Sequence, residues 1–76
     1  MKTFKVLGSG CANCNNTAKL IEQLAQQQGI EVKVEKVTDL EAIMNYGVMS
    51  TPAVVLNEEV IHSGSVPTKE LVLSWF

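Results

Sequence analysis

At 76 residues, 46% of them hydrophobic and 18% charged, the chain has room for one small soluble domain, expected over residues 1–76, and none for a second. Six Lys and Arg against eight Asp and Glu give a net charge of −2, scattered rather than blocked. That distribution excludes the basic face of a nucleic-acid binder and the polybasic patch of an electrostatic membrane binder.

The apolar run Phe4-Lys5-Val6-Leu7 is interrupted by a lysine and is too short for the core of a secretory signal. No window approaches the roughly 20 apolar residues of a membrane helix, so a cytoplasmic protein without membrane insertion is expected. Phe4, Val6 and Leu7 running into Gly8-Ser9-Gly10 predict a short buried strand stopped by flexible residues. From Cys14 the period changes. Ala18, Ile21, Leu24 and Ala25 recur at helical spacing, Lys19, Glu22, Gln23, Gln26 and Gln27 face outward, and Gly29 closes the helix. Ile30, Val32 and Val34 alternate with Glu31, Lys33 and Glu35, which predicts a strand with one buried face.

Thr38 and Glu41 have the spacing of a capping box, and Leu40, Ile43 and Met44 share one face of a short helix up to Gly47. After Ser50-Thr51-Pro52, the unbroken run Ala53-Val54-Val55-Leu56 reads as a central strand buried on both faces. Asn57-Glu58-Glu59 turns the chain into Val60-Ile61-His62 as a hairpin. Ser63-Gly64-Ser65 is a loop, Pro67 suits the first turn of a last helix, and Leu71, Val72 and Trp75 fall on one side of it. The order β-α-β-α-β-β-α predicts an α/β fold. Its first two strands are parallel through a crossover helix and its final hairpin is antiparallel, giving a mixed four-stranded sheet flanked by helices.

The chemistry concentrates in Cys11-Ala12-Asn13-Cys14, where the first strand ends and the first helix begins. At Cys11, unpaired backbone N–H groups and the positive end of the helix favour thiolate over thiol. Cys14 falls one turn on, with the apolar stripe, within reach of a mixed disulfide formed at Cys11. The pair reads as an exposed nucleophile and a sheltered resolving thiol. A closed zinc site would need four ligands, and beyond these two cysteines there is only His62 with weaker carboxylates. A two-coordinate copper(I) site would need the thiolates alone and stays open as a soft-metal carrier reading. Two inert buried cysteines three positions apart are the bland alternative. Composition alone makes Pro52 an ordinary proline at the start of a strand.

With these residues in view, the chain resembles the thioredoxin superfamily, and within it the small thioredoxin-like or glutaredoxin-like redox-active disulfide proteins of bacteria and archaea. The resemblance rests on the C-x-x-C after strand one, Thr51-Pro52 about forty residues later, the hairpin at Asn57, and Gly64 followed by Val66-Pro67. It implies a minimal thioredoxin-like fold, a cis Pro52 packed against the disulfide, and a Thr51 backbone offered to an extended substrate beside Ala12 and Asn13. It also implies a thiol–disulfide oxidoreductase acting on protein disulfides, recharged by a separate reductase. A monomer is expected, and no cofactor or metal residues are assigned, since no dinucleotide-binding glycine fingerprint occurs.

The chain departs from the larger thioredoxins in several places. Gly10 stands where they carry Trp, Ala12-Asn13 replaces Gly-Pro, and Glu31 and Glu35 alternate onto the polar face instead of supplying a buried acid. Ser63-Gly64-Ser65 stands where glutaredoxins carry an acidic pair for glutathione. Small copper-carrier domains share the C-x-x-C placement, but they follow helix one with a strand hairpin and end on a strand. A thioredoxin-fold adaptor with dispensable cysteines is a third class. Lys19, His62 and Asn16 read as solvent-facing residues, and Trp75 and Phe76 as packing residues.

Overall fold

A computed structural model describes residues 2–8 and 12–76. Its elements follow the order β1 (Lys2–Leu7), α1 (Ala12–Gln27), β2 (Val32–Val37), α2 (Leu40–Asn45), β3 (Ala53–Leu56), β4 (Glu59–Ser63) and α3 (Lys69–Ser74). The four strands form one sheet in the order β2-β1-β3-β4. β1 pairs with β2 in parallel, Lys2 opposite Val32 through Leu7 opposite Val37, and with β3 antiparallel, Phe4 opposite Leu56 through Leu7 opposite Ala53. The mixed four-stranded α/β architecture is the one the element order predicts.

Alternation along β1 and β3 divides the core between the two faces of the sheet. Phe4, Val6 and Val54 meet Ala18, Ile21 and Leu24 of α1 and Val72 of α3 on one face. Leu7, Ala53 and Val55 meet Ile43 of α2 on the other. β3 is almost wholly buried because helices cover it on both sides. β2 is a sheet edge, so Val32 and Val34 reach only half burial, and Ile30 lies outside the strand and exposed. Trp75 and Phe76, both half-buried, flank the Phe4 ring with centroids 6.2 and 6.0 Å away.

The helix ends are chemically explicit. α1 stops at a left-handed Gly29 (φ 69°). Its N–H donates to the Gln26 carbonyl, and the Ile30 N–H donates to the Ala25 carbonyl, which satisfies the last turn. The expected capping box at Thr38 is displaced by one residue: Asp39 is the N-cap of α2, its Oδ1 accepting from the Glu41 N–H at 3.1 Å. A carboxylate is the stronger cap of the two, and it wins. The shared apolar face of α2 is also only partly covered, since Ile43 is buried while Leu40 and Met44 are 67% and 65% exposed. The last helix starts later than expected. Thr68 caps it through Oγ1 and the Leu71 N–H, so Pro67 lies buried ahead of the cap instead of inside the first turn.

The β3–β4 hairpin turns at Asn57 (φ 54°) and Glu58 (φ 66°), two consecutive left-handed residues as a tight primed turn demands. Glu58 stands where glycine is the easier residue, and its carboxylate is held from two sides. Lys5 Nζ lies 2.9 Å from Oε1, and the Tyr46 hydroxyl donates to Oε2 at 3.2 Å. The Lys5 ammonium keeps the Glu58 carboxyl below its usual range, and the hydrogen bonds that Lys5 Nζ donates to Glu58 and to the Tyr46 hydroxyl, the latter at 3.1 Å, raise the lysine above its own.

Candidate functional site

The site is assembled where the end of β1, the start of α1 and the segment before β3 converge. Cys14 sits in the first turn of α1, on the stripe that continues through Thr17, Ala18 and Ile21, and is 5% exposed. It is disulfide-bonded in this structure. Cys11, the expected nucleophile, lies outside the described residues. Ala12 and Asn13, between the two cysteines, are exposed at the helix start. No acidic side chain occupies the first turn of α1, so the positive end of this 16-residue helix is not offset by a neighbouring carboxylate.

Two residues shape the surroundings of Cys14. Thr17 is fully buried and donates its hydroxyl to the Asn13 carbonyl at 2.8 Å, which pins the turn carrying Cys14 and satisfies the one buried polar side chain among the described residues. Gly8 closes the other side, its N–H donating to the Val37 carbonyl at 2.9 Å. A Cβ on Gly8 would overlap Cys14 Sγ and lie 2.9 Å from Cys14 Cβ. It would also lie 3.8 Å from Thr51 Cβ, so the bare α-carbon lets the cysteine helix and the Thr51 loop close on one point.

The Thr51–Pro52 peptide is cis, with Pro52 buried and Thr51 exposed. Pro52 and Thr51 therefore reach the same end of the sheet as Cys14. The Pro52 carbonyl accepts from the Gly64 N–H at 2.9 Å, which ties the loop after β4 to the segment before β3. Gly64 is left-handed (φ 91°), and a side chain there would crowd Ser50 Oγ at 3.2 Å. Beside Thr51 opens a groove of about 480 Å³, walled by Leu40, Ile43, Met44, Val48 and Met49, the last fully exposed.

Sequence reasoning placed Cys11, Cys14, Ala12, Asn13, Thr51 and Pro52 in one constellation; Cys14 and Thr51 both approach Gly8, Pro52 follows Thr51, Ala12 and Asn13 precede Cys14 on α1, and Cys11 lies outside the described residues. That reasoning missed Gly8 as a site residue, reading it only as a strand stop, and took Gly64 as a loop residue and part of the family resemblance without a role at the site. Lys19 is exposed on α1. His62 belongs to β4, and its ring faces Ser65 and Trp75. Among the described residues, no three His, Cys, Asp or Glu side chains cluster as metal ligands. No described helix is long and apolar enough to cross a membrane.

Comparison with known proteins bears on the same residues. The profile of the thioredoxin domain family matches residues 2–76. A protein named thioredoxin from Methanocaldococcus jannaschii is 30% identical over 70 residues, which span 92% of this chain and 80% of that protein. A thioredoxin from Methanothermobacter thermautotrophicus is 29% identical over 70 residues, spanning 92% of this chain and 91% of its own. A second M. jannaschii thioredoxin is 32% identical over 66 residues, covering 83% and 76% of the two chains.

Proposed function

The chain belongs to the thioredoxin domain family and is a thiol–disulfide oxidoreductase, and on that premise we propose that Cys11 and Cys14 form its redox-active pair. In the reduced protein the Cys11 thiolate attacks one sulfur of a substrate disulfide. The substrate S–S bond breaks, its second sulfur leaves as a thiolate that takes up a proton, and a mixed disulfide joins Cys11 to the substrate. Cys14, deprotonated, then attacks the Cys11 sulfur, expels the remaining substrate thiol and closes an internal disulfide. Two electrons pass to the substrate, and a separate reductase returns two to the protein.

The observation that carries this reading is the disulfide-bonded Cys14 in the first turn of α1, packed on Gly8 beside Thr51. Thr51 is the proposed backbone partner of an extended, disulfide-bearing polypeptide segment, with Pro52, Ala12 and Asn13 lining its path. The partners are protein disulfides and a reductase. A monomeric protein working in the cytoplasm, where a reducing pool keeps thiols available, fits this role. The element order supports the reading over a copper carrier, because α2 stands between β2 and β3 and α3 follows the hairpin.

Redox equilibration tests the pair. The metal-free protein is held in graded thiol/disulfide buffers and its free thiols are counted by alkylation and mass spectrometry. The expected result is one reversible two-electron transition between about −300 and −120 mV, the span of cellular redox proteins. A chain that forms only intermolecular disulfides would overturn the proposal and make copper(I) affinity the next measurement.

A further inference from the structure

His62 is absorbed neither by the cysteine chemistry nor by the core, yet its ring is tied down. It lies in β4 opposite Val54. Its Nε2 is 2.9 Å from the Ser65 carbonyl oxygen and 3.3 Å from Ser65 Oγ, and its ring centroid is 6.2 Å from that of Trp75. Either tautomer makes a bond here. With a proton on Nε2 the ring donates to the Ser65 carbonyl, and with the proton on Nδ1 the Nε2 accepts from the Ser65 hydroxyl.

Ser65 adjoins Gly64, whose N–H donates to the Pro52 carbonyl at 2.9 Å. The loop that makes this contact starts with a left-handed Gly64 and Ser65, directly after Ser63 at the end of β4, all three exposed. A loop that opens on glycine and serine has many competing backbone conformations, and one backbone hydrogen bond does little to select among them. The His62–Ser65 contact supplies a second anchor one residue beyond Gly64. The two contacts hold the loop from both sides, His62 on the strand it leaves and Pro52 on the segment it must meet.

We infer that His62 is a positioning residue for substrate docking: by fixing Ser65 it keeps the Gly64 N–H on the Pro52 carbonyl, and so holds the peptide group of Thr51 in the orientation an incoming polypeptide disulfide requires. The inference rests on the proposed role of Thr51 as the substrate's backbone partner. It assigns His62 no part in proton transfer, because His62 acts only through the loop.

The test compares wild type with His62→Ala and His62→Gln on two disulfides. One is insulin, whose chain must dock, and the other is a small aromatic disulfide that needs only an accessible nucleophile. The His62→Ala protein is expected to show a KM for insulin about three- to tenfold higher, the factor associated with one lost net hydrogen bond. Its rate with the small disulfide should stay within about twofold and its midpoint potential should not move. The His62→Gln protein, whose amide N–H can still reach the Ser65 carbonyl, should recover most of the insulin KM. The inference is overturned if His62→Ala leaves the insulin KM unchanged, if Gln and Ala behave alike, or if both disulfides lose rate in parallel, which marks general destabilisation. If wild-type protein reduces neither disulfide, the oxidoreductase mechanism itself fails, and this inference with it.

Discussion

The two faces of the sheet are built to different depths. On the α1 side, Phe4, Val6, Ala18, Ile21, Val54 and Val72 are all at or below 1% exposure, and two further aromatic rings close over Phe4. On the α2 side, Leu7, Ala53 and Val55 are covered by a six-residue helix that buries Ile43 alone and leaves Leu40 and Met44 in water. The site draws on both. Cys14 stands on the deeply anchored helix, while Thr51 ends the segment leading from the thinly covered one. A reacting sulfur must be held in place, whereas a surface that receives varied polypeptides gains from shallow, apolar and adaptable residues such as Met44 and Met49.

Truncations on the two faces measure that difference. Phe4→Ala is expected to cost about 3–5 kcal/mol, because the cavity opens between α1, α3 and the sheet with no route to relax. For a domain of this size that is most of its stability, so urea titration should find the variant largely unfolded. Ile43→Ala should cost about 2 kcal/mol, at the low end for such a truncation, since α2 can settle onto the sheet. Equal losses at the two positions would show that the faces are equivalent. At the junction between them, Gly8→Ala puts a methyl group into Cys14 Sγ and is expected to cost about 1–3 kcal/mol. Unlike Ile43→Ala, it should also slow disulfide exchange, read as a lower rate with a small aromatic disulfide in protein that remains folded.

Much of this was legible in the sequence wherever a signal is local. The unbroken run Ala53 to Leu56 reads as a doubly covered strand because nothing polar interrupts it, and Gly29 marks the end of α1 because only a left-handed residue closes that turn. The C-x-x-C at a strand-to-helix junction marked the chemistry by itself, whereas the Thr-Pro before a buried strand was joined to it only through the family resemblance. Other features depend on contacts the chain makes at a distance. Thr38 and Asp39 can both cap α2, and the choice falls to whichever side chain reaches the Glu41 N–H. Periodicity puts Leu40 and Met44 beside Ile43 without saying how far the sheet extends beneath them. Gly8 shows its purpose only once Cys14 and Thr51, 43 residues further on, are brought against it.

The central claim, that Cys11 attacks and Cys14 resolves, is tested most directly by incubating reduced Cys14→Ser protein with a disulfide-bonded polypeptide and weighing the products by mass spectrometry. The mechanism predicts a stable adduct, one protein joined to one substrate chain through Cys11, dissociated by added thiol and absent with Cys11→Ser. Adducts formed equally by both variants, or by neither, would contradict it.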